Sequence, residues 1–308
     1  MAILTHDRPI GARAGAGLLI AGVSAAAFGL SGPLARGLMD AGWSAATVVA
    51  VRVLLGAVVL SPIAAYQLRG EWNLLRRNSS LIAGYGLLAV AGTQLGYFNA
   101  VAHMQVGVAL LIEYTAPIAV VGWLWLRHRQ RPGVLTICGA ALGIAGLFLV
   151  LDLRSGLSAD WVGIAWALGA MVGAAGYFIL SAHGDGSIPG TVLATGGLLI
   201  GGLGLLAAGA VGILPMSATT NSVAFQGFTT PWWLPILALG TVTAALAYAT
   251  GIVATRLLGS RLASFVALSE VLAALIFAWL LLGESPRPVQ FLGGALILTG
   301  VVTVRRGE

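Results

Sequence analysis

The chain has 308 residues, of which 58% are hydrophobic and 8% charged, with a mean hydropathy of +0.96. That is more apolar surface than a soluble domain buries, and runs of about 18 or more apolar residues read as membrane spans. The formal net charge of +6 does not point to nucleic acid, because the basic residues stand singly at the ends of apolar runs rather than along one face.

Ten apolar segments follow one another: 15–36, 43–66, 80–102, 106–126, 132–151, 161–182, 189–213, 232–255, 262–282 and 288–304. The expected fold is an all-α polytopic membrane protein. The first segment follows a short basic stretch, His6 to Arg13, and is long enough to be a retained span rather than a cleaved signal. Asn78-Ser79-Ser80 matches a glycosylation acceptor, but it falls in an arginine-rich connection placed in the cytoplasm and is read as chance. The longest connection, Leu214 to Pro231, is rich in Ser and Thr and carries no charge.

Arginine placement sets the expected orientation. With the N-terminus inside, the cytoplasmic segments hold Arg8, Arg13, Arg69, Arg76, Arg77, Arg127, Arg129, Arg131, Arg256, Arg261, Arg305 and Arg306. The opposite side receives Arg36, Arg154 and Arg287, and Arg52 lies within a span. Twelve against three places residues 1–14 and 305–308 in the cytoplasm. Trp43, Trp123, Trp125, Trp161, Trp232, Trp233 and Trp279 sit near predicted span ends, where an amphipathic ring prefers the headgroup level. Trp166 lies deeper and is the better candidate for a cavity wall.

The ten segments divide into five and five, 15–151 and 161–304. GAALGIAG at 139–146 lines up with GGALILTG at 293–300, an offset of 154, and Pro132 meets Pro286 at the same offset. Glu113 is matched with Glu270 at 157 and Tyr97 with Tyr248 at 151, the small shifts being assigned to turns. An odd number of spans per half makes the second enter from the opposite face, so two inverted five-helix repeats are expected around a central cavity. Each acid then lies roughly 12 Å from its own face, at 1.5 Å per residue.

A carboxylate inside an apolar helix is a functional candidate by default, since a charge there costs at least ~2.5–3.5 kcal/mol at the bilayer centre. Glu113 and Glu270 could carry protons or could fix helices through hydroxyl partners, Tyr114 or Thr115 beside Glu113 and Ser269 beside Glu270. The second reading is favoured. Gln94, Tyr97, Asn99 and His103 are expected to share one face of the third span, with His103 at its outer, interfacial end; interhelical hydrogen bonding is the plain alternative for Gln94 and Asn99. Tyr177, Tyr248 and Trp166 are deep aromatics, either core packing or a stacking wall for a flat substrate. Arg52 either pairs with one of the acids or snorkels. Close helix approach is expected at Gly139/Gly143, Gly169/Gly173 and Gly197/Gly201.

No H-E-x-x-H, G-x-S-x-G or P-loop is present, and four scattered histidines with one cysteine, Cys138, offer neither a metal constellation nor an internal disulfide. No enzyme and no cofactor is expected. Nothing repeats around a pore axis as in a channel, and a carrier of phosphorylated or nucleotide sugars would want several embedded cations where only Arg52 qualifies.

The 5+5 arrangement, the apolar-Glu-apolar fourth and ninth segments, Leu282-Gly283-Glu284 and the GGALILTG tenth segment resemble the EamA branch of the drug/metabolite transporter superfamily. More narrowly, Tyr97-Phe98-Asn99 and Glu113-Tyr114-Thr115-Ala116-Pro117 are similar to bacterial aromatic amino-acid exporters of the YddG type. One departure is Arg127-His128-Arg129, where Gly-Glu is frequent in the family. The resemblance implies a bacterial inner-membrane exporter of aromatic or other largely apolar amino acids, working by alternating access through a cavity lined mainly by spans 3, 4, 8 and 9. Another metabolite or drug of the same superfamily is the alternative substrate, and a non-transport membrane scaffold or receptor is the alternative class.

Overall fold

The computed structural model describes residues 10–101, 103, 106–151, 160–182 and 188–307. Arg8 and Arg154, counted in the charge bias, lie outside these. Helices α1 (Ile10–Gly29) and α2 (Ser31–Asp40) meet at Leu30, so the first predicted span extends to Asp40. Ser44 caps α3 (Ala45–Leu68), its Oγ accepting the Thr47 N–H at 3.3 Å. A short α4 (Asn73–Arg77) precedes α5 (Ser79–Gly84), a π-helix π1 (Tyr85–Gly92) and α6 (Thr93–Val101), which run end to end. Next, α7 (Val106–Glu113) and α8 (Ala116–His128) are separated by a turn at Tyr114-Thr115. Pro117 fits the first turn of α8, where its missing N–H leaves no hydrogen bond unmade. Then come α9 (Val134–Leu151), α10 (Trp161–Ala182) and α11 (Gly190–Ala210), and a hairpin of β1 (Val223–Phe225) with β2 (Phe228–Thr230). The chain ends with α12 (Trp233–Ala238), a second π-helix π2 (Leu239–Leu246), α13 (Ala247–Ala267), α14 (Glu270–Leu282) and α15 (Pro288–Arg306).

Eight stretches of the described residues are long and apolar enough to cross a membrane. Two predicted spans are not among them as separate units. Segment 80–102 is the composite α5–π1–α6, and segment 262–282 is divided between the end of α13 and the 13-residue α14. The loop expected between spans eight and nine is a single-residue turn at Gly259, whose φ of 78° and ψ of 159° belong to a region open in practice only to glycine.

One offset relates much of the chain to itself. Ser79 to Trp233, Tyr85 to Leu239 and Ala116 to Glu270 are each a step of 154, and each opens an element as long as its counterpart: six, eight and 13 residues. Both π-helices and the left-handed C-caps of α8 and α14, Arg129 at φ 54° and Gly283 at φ 74°, obey it. The basic Arg127-His128-Arg129 therefore closes α8 where Gly283 closes α14, with a side chain in a conformation that glycine adopts more cheaply. At this constant offset Glu113 corresponds to Ala267, and Glu270 to Ala116. The two acids thus stand three residues out of register, nearly one helical turn, rather than at matching positions. Tyr97 likewise corresponds to Gly251, and Tyr248 to Gln94.

Helix pairings also recur: α1 packs on α13 as α10 packs on α6, and α3 on π2 as α11 on π1. The two octapeptides pack on each other. A methyl carbon added at Gly139 would lie 2.7 Å from the Gly300 carbonyl, and one at Gly146 would lie 2.5 Å from the Gly293 carbonyl. With Gly139 against Gly300 and Gly146 against Gly293, α9 and α15 run antiparallel, backbone on backbone. Of the other predicted close approaches, Gly173, Gly197 and Gly201 are made, whereas Gly169 faces open space.

The hairpin departs from the all-α expectation. Its Gln226-Gly227 turn uses a positive φ of 81° at Gly227, and Gln226 N–H donates to Leu281 O at 2.7 Å. Buried Val223 and half-buried Phe225 press on Gly37 of α2. Trp43 is drawn into the same cluster, 8% exposed, with its indole N–H donating to Thr219 O at 2.9 Å and its ring 5.8 Å from that of Trp232. It is a core residue and not part of an interfacial belt; Trp123, Trp125, Trp161, Trp233 and Trp279 are exposed as expected.

Candidate functional site

A cavity of about 620 Å³ lies among the helices, within the range of small-molecule sites. Its wall is built from α1–α2, α3, π1–α6, α7–α8, α10, π2–α13 and α14. Among the described residues α9, α11 and α15 contribute nothing to it. The wall is therefore wider than spans 3, 4, 8 and 9, because α1 and α10 pack along α13 and α6 and close the gaps between them. Lining residues reach Arg36 and Met39 at the end where exposed Arg36 and Asp40 pair at 2.9 Å. Away from that end, Tyr85, Ile188 and Ile252 are buried in one cluster with Tyr177 and Tyr248, and Arg256 donates to Ile188 O at 2.9 Å.

Of the ten residues singled out in the sequence, Gln94, Tyr97, Glu113, Tyr114, Tyr177, Tyr248 and Glu270 line the cavity. Asn99, Trp166 and Ser269 do not. Asn99 comes two residues after Tyr97, about 200° around the helix, and its amide donates to Leu95 O at 2.8 Å. Trp166 is 38% exposed on the outside of α10. The Ser269 hydroxyl donates to Val266 O at 2.6 Å and Thr115 to Ile112 O at 2.6 Å, so both satisfy their own helix turns instead of an acid.

The acids differ in their surroundings. Glu270 opens α14, at the end where the helix dipole favours an anion. Its Oε1 accepts the Tyr114 hydroxyl at 3.1 Å, a bond from the fourth predicted span to the ninth. Glu113 closes α7, at the unfavourable end of its dipole, and no described residue donates to its carboxylate. The tyrosine expected beside Glu113 holds the other acid.

Arg52 neither pairs with an acid nor reaches the surface. It is 7% exposed, lines the cavity and donates through Nη2 to Thr243 O at 2.9 Å, inside π2. No described carboxylate lies within 4.0 Å of it. Its Cζ stands 5.8 Å from the centre of the Phe28 ring, which meets Tyr248 edge-on at 5.0 Å. Phe28 and Phe178 complete an aromatic wall with Tyr177 and Tyr248 that the sequence reading missed in part. The available signal was the stripe Ala21, Ser24, Ala25 and Phe28, all cavity-lining at helical spacing.

Such a cavity suits a small molecule with apolar bulk and charged ends, held between two sets of helices. The model of the EamA-like transporter family matches residues 15–152 and again 161–306. The chain belongs to the EamA-like transporter family. Family members and relatives are transporters rather than enzymes, and the apolar helices agree with a multi-pass membrane protein. The chain is 22% identical over 299 residues to the uncharacterized inner membrane transporter YicL of Salmonella typhimurium, covering 94% of each. It is 28% identical over 272 residues to the threonine/homoserine exporter RhtA of Escherichia coli K12, covering 84% of this chain and 82% of that one. A solved crystal structure superposes with a TM-score of 0.75 at 22% identity, over 96% of this chain and 99% of that one, a likeness of fold.

Proposed function

We propose that the chain exports amino acids with apolar or aromatic side chains across the bacterial inner membrane, by alternating access through the cavity. The observation that carries this reading is the composition of the wall, in which Phe28, Tyr177 and Tyr248 accompany a buried guanidinium, Arg52, and two half-buried carboxylates, Glu113 and Glu270. An amino acid presents that combination of groups, and its side chain supplies what an aromatic wall stabilises. A narrower kinship with aromatic amino-acid exporters belongs to the same reading. Threonine-like amino acids are the second reading, favoured by the likeness to RhtA; they share the charged ends and differ in the side chain.

In the architecture we infer, ten helices form two inverted halves, 15–151 and 161–304, with both termini cytoplasmic. Support comes from the constant offset of 154, from the double family match and from the reciprocal glycine contacts. Gly139 on Gly300 and Gly293 on Gly146 is the pairing that a two-fold axis between the halves requires. The arginine bias supports the orientation.

Single-cysteine labelling tests alternation and orientation together, in a Cys138→Ser background that removes the one native thiol. A membrane-impermeant maleimide should reach Arg131→Cys from the cytoplasmic side alone. Ala267→Cys, in the cavity wall, should react from either side and more slowly with phenylalanine present. Reaction of Ala267→Cys from one side only, whatever is added, would contradict alternating access.

A further inference from the structure

Arg52 is the eighth residue of α3, about 11 Å beyond the first residue at 1.5 Å per residue. A guanidinium carries five N–H donors in a planar fork. Here one hydrogen bond is made, Nη2 to Thr243 O, while the buried Nε has no partner. Holding a cation this deep with no described carboxylate within 4.0 Å is costly, and a place for it in a membrane bundle is ordinarily a functional one. Beside it stands an aromatic face, Phe28, backed by Tyr248, which steadies the guanidinium but supplies no hydrogen-bond acceptor from the Phe28 ring. What remains open to Arg52 is the cavity that it lines.

The donors that Arg52 leaves unused match a planar anion with two oxygens, the geometry of a carboxylate gripped by a fork. Its backbone anchor sharpens this. Thr243 lies within π2, whose wide turn disturbs the regular hydrogen-bond ladder. The Thr243 carbonyl fixes one corner of the guanidinium while the others stay available. At the position 154 residues earlier, the Ala89 carbonyl in π1 instead accepts the Thr93 hydroxyl at 3.2 Å. Only one of the two π-helices therefore holds a cation at the cavity.

Resting on the functional reading above, we propose that Arg52 binds the carboxylate of the transported molecule, which makes the substrate a carboxylic acid whose apolar side chain packs beside Phe28 and Tyr248. Arg52 thereby sets specificity for the charged end, and the aromatic wall sets it for the side chain. Carriers of amines without a carboxylate would have no use for it.

Binding of L-phenylalanine and of L-phenylalaninamide to the purified protein in detergent, measured by isothermal titration, tests this. The wild type should bind phenylalanine about tenfold or more tightly over the amide, the worth of a charge-assisted pair. Arg52→Gln should bind the two equally, through loss on the phenylalanine side, with the amide affinity unchanged. Arg52→Lys, which keeps the charge but not the fork, should fall between. Equal wild-type affinities, or an Arg52→Gln protein that keeps the preference, would overturn the assignment of Arg52. The wild-type ratio needs no variant to fold. Should the wild type bind neither compound and no other amino acid, the functional reading fails and the carboxylate site fails with it.

Discussion

Replacing Gly146 with leucine should prevent stable assembly of the bundle, at a cost of about 3 kcal/mol or more, the upper range for overpacking a close contact. At this point α9 and α15 touch through their backbones, and an added Cβ would lie 2.5 Å from the Gly293 carbonyl and 2.8 Å from the Ile297 nitrogen. Main-chain atoms cannot turn aside as a flexible side chain can. The helices would have to separate, and the contacts at Gly139 and Gly300 would open with them. Gly169→Leu is the control, because nothing lies within 4 Å of that position. Melting temperature and gel-filtration profile in detergent should collapse for Gly146→Leu and hold for Gly169→Leu. Equal behaviour of the two would show that α9 and α15 are not in contact this way.

Glu113→Gln should lower phenylalanine transport at low substrate by roughly tenfold to a hundredfold, corresponding to about 1.5–3 kcal/mol for a hydrogen bond to a charged group. No described residue donates to the Glu113 carboxylate, which lines the cavity. An ammonium group is what such a carboxylate holds, and glutamine keeps its size while removing the attraction. Glu270→Gln should be milder, because the amide oxygen still accepts from the Tyr114 hydroxyl. The melting temperature should change little in either variant. If both transport like the wild type, the acids serve only to fix helices. If Glu113→Gln loses its response to an imposed pH gradient but still exchanges labelled for unlabelled substrate, Glu113 carries a proton instead.

The membrane class, most helix positions and the close helix approach at glycines such as Gly139 and Gly197 were legible in the sequence, because they depend on hydropathy and on glycine, which act locally; that the two octapeptides pack on each other was not. Seven of the ten chosen site residues line the cavity for the same reason: a polar or aromatic residue deep in an apolar helix has few other places to go. The register of the acids was not legible. Matching Glu113 with Glu270 and Tyr97 with Tyr248 pairs like with like, yet the backbone holds one offset across the helices that carry them. The error of three residues stays hidden because nearly a full turn leaves a side chain on the same helix face. Partners across the bundle were equally out of reach. Nothing local tells that Tyr114 bonds to Glu270 rather than to its neighbour, or that Thr219 claims the Trp43 indole. Hairpin formation between 223 and 230 was missed since three-residue strands leave too short a pattern to read.

Transport by the purified protein tests the central claim most directly. Proteoliposomes loaded with unlabelled phenylalanine should take up labelled phenylalanine or tryptophan by exchange, well above protein-free liposomes, and hardly exchange a labelled sugar phosphate. Exchange of the sugar phosphate at a rate comparable to phenylalanine, or no exchange of any amino acid, would contradict the account.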